Sequence, residues 1–167
     1  MNEIKLIING KEVKLTEEQI KALDLALGGK LLNPFERVGK YEEYYCIKET
    51  GEIYNYYDDG GSFDNILYAE SNYFNDKAFA KQVALHQLLY RKLLKYSYDN
   101  KCGDEEWSGN NMHAYVIYNF TRKDYDVRWT RDEKKQGTVY FKSTTWATAA
   151  LNEVVMPFVK EHPEFVW

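Results

Sequence analysis

Two stretches of the sequence pass through the same series of elements, and this echo constrains the fold more than any other feature. In the first, Tyr45-Cys46-Ile47 begins a strand, Glu52 to Tyr56 supplies a second, Tyr73-Phe74 closes a third, and Asp76 opens a long helix. In the second, Tyr115-Val116-Ile117, Asp124 to Trp129 and Val139-Tyr140-Phe141 repeat the course, and Ser143 or Thr144 caps the next helix. Each half places an alanine six residues beyond its closing phenylalanine, at Ala80 and Ala147. The expected fold is therefore α+β: two β-β-β-α units forming an antiparallel sheet with two long helices on one face.

Ahead of the echo, Ile4, Leu6 and Ile8 alternate up to Asn9-Gly10, and Val13 and Leu15 resume the alternation. That pattern predicts a hairpin with a two-residue turn, both of whose positions tolerate positive φ. Thr16 stands as a helix cap with Gln19 three residues on, and Ile20, Leu23 and Leu27 recur at helical spacing until Gly28-Gly29. Asn33-Pro34-Phe35 reads as an extended turn, because the residue before proline is pushed out of the α region. It divides an N-terminal hairpin and short helix, residues 1–32, from the duplicated unit, residues 33–167.

The first long helix, Asp76 to Tyr98, places Phe79, Val83, Tyr90, Leu93 and Leu94 on one apolar arc expected to face the sheet. Lys81, Arg91, Lys92 and Lys95 fall together on the other side as a basic stripe, read either as a nucleic-acid contact or as an ordinary solvated face. In the last helix Trp146, Ala147, Ala150, Leu151 and Val154 precede Pro157, which is expected to kink or end it. Phe158, Phe165 and Trp167 are expected to dock the tail.

Several chemistries find no support. With 22 basic and 26 acidic side chains the formal charge is −4, so nothing in the overall charge calls for a nucleic-acid partner. The opening Met1-Asn2-Glu3-Ile4-Lys5 does not resemble a secretion leader, and the expected location is the cytoplasm. There the 2 cysteines, Cys46 and Cys102, are expected as free thiols. His86, His113 and His162 lack metal-ligand spacing, and no glycine-rich phosphate cradle is present. The segment from Tyr57 to Asp64 clusters acids with glycines without a calcium-loop register, and is expected to be a flexible acidic loop. Cys102 and His113 are the nearest nucleophile and base in the sequence, but no cysteine-protease signature surrounds them. No catalytic residue, cofactor or metal is assigned.

The unusual quantity is 15 tyrosines, most of them in strand-like segments where only alternate rings can face a core. Two readings are open: rigid amphipathic rings forming a recognition surface, or plain β propensity with some rings covered by the N-terminal hairpin. A recognition surface would use Tyr54, Tyr56, Tyr57, Tyr125 and Trp129, with Asp58 and Asp59 at its rim. Asp64, Asp104, Glu105 and Glu106 extend the acidic rim and suit a basic nucleic-acid groove on a target protein.

Asn33-Pro34-Phe35-Glu36, Tyr44-Tyr45, Asn72-Tyr73-Phe74, Val139-Tyr140-Phe141-Lys142-Ser143, Pro157-Phe158 and His162-Pro163-Glu164-Phe165-Val166-Trp167 together carry a resemblance. The chain from Asn33 onward resembles small phage and prophage proteins of unassigned function from Gram-positive bacteria. The resemblance implies an accessory protein of the kind that includes inhibitors of host defence, among them anti-CRISPR proteins, which commonly bind stoichiometrically and do no catalysis. The expectation is a non-enzymatic inhibitor of a bacterial defence protein, possible partners including a CRISPR effector. The alternatives are a nucleic-acid-binding accessory protein using the basic stripe, and a sponge holding a small nucleotide between tyrosine rings.

Overall fold

The computed structural model describes residues 5–8, 11–14, 33–104, 107 and 110–167. The helix expected between Thr16 and Gly28, and the acidic residues Glu105 and Glu106, lie outside the described residues. Strands β1 (Lys5–Ile8) and β2 (Lys11–Lys14) pair antiparallel, from Lys5↔Lys14 to Ile8↔Lys11.

The rest is a mixed α+β fold built on two further hairpins. Strands β3 (Glu43–Ile47) and β4 (Ile53–Tyr57) are joined by a turn that Gly51 closes at φ 88°, its N–H donating to Lys48 O at 2.8 Å. Strands β5 (His113–Asn119) and β6 (Asp124–Thr130) are joined through Lys123 at φ 56°. The third strand expected in each unit is reduced to isolated bridges, and only one in each unit reaches the hairpin. Phe74 exchanges two backbone hydrogen bonds with Tyr45 (2.7 and 2.8 Å), and Phe141 exchanges two with Ala114 (3.0 and 2.8 Å). Neither bridge has room to lengthen: a helix cap lies two residues beyond each phenylalanine, and Ser71 (φ 57°) and Gly137 (φ 73°) break the extended chain before it. The hairpins remain separate two-stranded sheets, not one continuous sheet.

Helix α1 (Ser62–Ala69) takes in the last three residues of the segment from Tyr57 to Asp64 that was expected as a flexible loop. Helix α2 (Lys77–Asp99) begins at Asp76, whose carboxylate accepts from the N–H groups of Ala78 and Phe79 at 2.8 and 3.0 Å. Helix α3 (Thr144–Ala150) begins at Ser143, whose hydroxyl accepts from Trp146 N–H at 3.3 Å. The two caps occupy equivalent places in the halves, and Ala80 and Ala147, each one turn further on, are both fully buried.

Two expectations about helix faces are corrected. On α2 the buried positions are Ala80, Ala84, Leu85, Leu89, Leu93 and Ser97, so only Leu93 of the expected arc is buried. Tyr90 and Leu94 are exposed. The cause is that α2 serves two neighbours, touching β3 and β4 as well as the last helical segment, so its buried face changes along its length. At Pro157 the helix does not stop. A π-helical turn, Leu151–Val155, leads directly into α4 (Met156–Glu161), which carries the proline in its first turn, beside the wide turn where the ordinary α-helical bonding is already interrupted.

Two clusters of buried side chains result. The larger joins Leu85, Leu89 and Leu93 of α2 to Ala114, Val116, Phe141, Ala147, Val155 and Phe158, with Phe165 of the tail. The smaller contains Tyr44, Cys46, Leu67 and Tyr73.

Candidate functional site

The smaller cluster is a pair of stacked tyrosines whose hydroxyls end on carboxylates. Tyr44 and Tyr73 are fully buried with ring centroids 4.0 Å apart and planes 11° from parallel. Tyr44 Oη donates to Asp64 Oδ1 at 2.6 Å, and Tyr73 Oη donates to Asp58 Oδ2 at 2.8 Å. Arg37 grips Asp58 with two bonds, Nε to Oδ2 at 2.6 Å and Nη2 to Oδ1 at 3.0 Å, and reaches Asn65 Oδ1 at 2.7 Å. The Gly60 N–H donates to Asp58 Oδ1 at 2.8 Å, and the Asp59 N–H donates to Asp64 Oδ2 at 3.0 Å.

These contacts correct the expectation of a flexible acidic loop. Asp58 and Asp64 are buried and shape the turn, because their oxygens satisfy both tyrosine hydroxyls and the turn's own N–H groups. Arg37 holds the Asp58 carboxyl down at about 2, against the opposing pull of burial. Burial, then the hydrogen bonds to Asp64 and Asp58, raises Tyr44 and Tyr73 well above the usual phenol range. Asp58 therefore sits beneath the expected rim, and Asp59 alone of the pair is exposed.

Over this support lies an exposed aromatic surface. Tyr54 and Tyr56 of β4 stand 5.9 Å apart, and the Phe63 ring of α1 meets Tyr56 edge-on at 5.1 Å. Phe63 is 50% exposed, and Ile66 and Tyr68 are exposed further along α1, whereas Tyr57, 64% exposed, points to the opposite face of the hairpin. The Lys48 ammonium lies 3.2 Å from the centre of the Tyr54 ring. Phe63 falls within the segment from Tyr57 to Asp64 expected as a loop, and Ile66 and Tyr68 lie just beyond it. The signal was present: Phe63, Ile66 and Leu67 fall at helical spacing, with Leu67 turned inward.

The remaining expected residues lie elsewhere. Tyr125 and Trp129 sit on β6, in the other sheet. Tyr125 is half-buried, edge-on to Trp167 at 5.4 Å, whereas Trp129 is 52% exposed with the Arg131 guanidinium 5.7 Å from its ring. Among the described residues no ring contact joins them to the Tyr54–Tyr56 group.

The basic stripe is divided and partly neutralised. Lys81 pairs with Glu164 at 2.8 Å, and Lys95 pairs with Asp99. Lys81 and Arg91 line a groove of about 450 Å³ with Lys77, Ile53 and Leu88. Lys92 and Lys95 line a separate hollow of about 270 Å³ that also holds Glu153 and Glu161.

Cys102 is fully buried, and burial pushes its thiol up, opposite to what a nucleophile needs. His113, fully buried, stacks on Trp107 at 3.7 Å and pairs through Nδ1 with Asp104. Burial likewise raises the Cys46 thiol. Among the described residues no three His, Cys, Asp or Glu side chains are grouped to hold a metal ion, and no helix is long and apolar enough to cross a membrane. No protein-family model matches this chain, and no match is found among curated proteins or among solved structures.

Proposed function

We propose that this chain is a non-enzymatic binding protein that inhibits a bacterial defence protein by occupying it stoichiometrically, in the manner of an anti-CRISPR protein. The observation that carries the binding role is the aromatic surface of the exposed Tyr54 and Phe63 with the half-buried Tyr56 between them, seated on buried tyrosines and carboxylates that the part-exposed Arg37 guanidinium clamps. Rigid rings on a rigid base give contact area at little entropic cost, which is the property a recognition surface needs. Asp59 supplies negative charge at its edge. The phage setting and the defence target rest on the resemblance of the segments from Asn33 to Trp167.

The test is inhibition of a purified CRISPR effector by the full chain and by its Tyr54→Ala/Phe63→Ala variant. Both positions are exposed, so the variant should keep its unfolding midpoint and lose inhibition by about a hundredfold or more. Undiminished inhibition by the variant would remove this surface from the proposal, and no inhibition by the parent chain would remove the effector as target.

A further inference from the structure

The two hairpins treat their outer edges in opposite ways. Tyr45 bonds to Phe74 on the side away from β4, so ladder alternation makes Tyr44↔Tyr56 and Cys46↔Tyr54 the hydrogen-bonded pairs. The backbone N–H and C=O groups of Ile53, Asn55 and Tyr57 therefore point away from β3. The outer side of β3 is closed, since Phe74 takes Tyr45 and the Asn72 side-chain amide takes both the N–H and the C=O of Ile47, at 2.8 and 2.9 Å. Among the described residues the outward groups of Ile53, Asn55 and Tyr57 meet no partner.

The same alternation turns Tyr125, Val127 and Trp129 outward from β6, because Ala114 bonds to Phe141. There the edge is plugged. Asp126 Oδ1 accepts from the Val127 N–H at 2.8 Å, and the same carboxylate pairs with Arg122 at 2.6 Å and Arg128 at 3.3 Å. Charges recur along β6 at Asp124, Asp126 and Arg128, whereas β4 reads Ile-Tyr-Asn-Tyr-Tyr with none. Natural sheets blunt an idle edge with charge, proline or a local plug, and β4 carries none of these.

We propose that the open edge of β4 is a strand-addition site, at which an extended segment of a partner protein pairs with Ile53, Asn55 and Tyr57. The chemistry of that segment follows from what borders the edge. Tyr54 and Tyr56 ask for apolar side chains at alternate positions of the incoming strand. At the Ile53 end the edge opens on the groove that holds Arg91, which makes no ion pair among the described residues, and Lys48 stands over Tyr54 nearby. An acidic residue at that end of the segment complements them. This rests on the binding-protein reading and specifies how the binding is done.

A random linear-peptide display library panned on the full chain, followed by residue-resolved amide exchange of the chain with each enriched peptide, tests it. Enriched sequences should alternate apolar residues with an acid at one end, and should slow exchange at Ile53, Asn55 and Tyr57. Asn55→Pro removes one outward N–H and no backbone bond to β3, and should weaken binding about tenfold, whereas Asn55→Ala, which removes only the side-chain bond to Glu43 Oε1 (2.8 Å) that both variants lose, should leave binding in place. Peptides N-methylated at alternate amides should fail in the same assay, a control that leaves the protein unaltered. Peptides that bind without protecting these amides, or that protect β6 instead, would overturn strand addition and leave the binding-protein reading intact. A library that yields no binders would count against both. Protection of the three amides on concentrating the chain alone would assign the edge to a second copy and overturn the partner.

Discussion

The lobe around β5 and β6 and the lobe around β3 and β4 follow one order of elements and are held together by different means. The first is packed with aliphatic and aromatic side chains from β5, α2, α3, α4 and the tail, centred on the fully buried Phe141. The second buries few apolar residues and relies on Tyr44, Tyr73, Asp58, Asp64 and Arg37 hydrogen-bonded to one another. Apolar burial is non-directional, whereas a bidentate guanidinium and two aimed phenols fix orientation at a modest net gain for each bond. The polar lobe is thus the one that can hold exposed rings at fixed angles, and it is also the one with an open strand edge.

Substitutions can break this contrast, beginning with the deepest. Phe141→Ala removes the bridge residue of the apolar lobe and should cost about 3–5 kcal/mol in urea unfolding. A loss below about 1 kcal/mol would mean that the larger cluster does not carry the fold. Arg37→Ala leaves the buried Asp58 carboxylate with only Tyr73 and the Gly60 N–H, and should lower the urea midpoint by less than Phe141→Ala does. Arg37→Lys should recover only part of that loss, since an ammonium cannot replace the two-pronged contact.

Acid should separate the lobes next. Asp58 is held at about 2 in the folded chain, below the roughly 3.9 of a free aspartate, so its contribution is complete above about pH 4. It is lost as pH falls from there through about 2, when the unfolded chain binds the proton more readily than the folded one. The urea midpoint followed from pH 6 to 2 should fall across that window, and Asp58→Asn should flatten the fall. An unchanged slope in that variant would place the acid sensitivity elsewhere. The smallest effect on stability, within about 0.5 kcal/mol, is expected for Asp126→Ala, which unplugs the Val127 N–H. Its signature should be new self-association in sedimentation, making the β6 edge behave as an open one.

Much of this organisation was readable from local pattern. The cap Asp76, the choice of Ser143 or Thr144 for the second cap, the hairpin strands and the matched positions of Ala80 and Ala147 follow from residue type and spacing alone, while the burial of the two alanines was not foreseen. What escaped depends on contacts between distant residues. Asp58 and Asp64 look like a solvated acidic loop until Arg37, Tyr44 and Tyr73 arrive from other parts of the chain. The inward face of α2 was misjudged because one helix packs against two neighbours, and a single apolar arc describes only one of them. The tyrosines of β4 and β6 read alike in sequence. Tyr125 was drawn inward by Trp167, and Tyr57 was left outside.

The π-helical turn works as a register keeper for the end of the chain. Ala150 and Val155 are five positions apart and both buried, a spacing that an ordinary α-helix would swing about 140° out of line. The wide turn absorbs the extra residue, so that Ala147 and Ala150 before it and Val155 and Phe158 after it meet one cluster. Losing a single residue between Leu151 and Val155 would therefore return the segment to an ordinary α-helix with Val155 four and Phe158 seven positions beyond Ala150, on one face, whereas adding a residue there would swing Phe158 about 100° toward solvent and an exchange of the exposed Asn152 would leave the seam in step. In this segment the number of residues matters more than their identity.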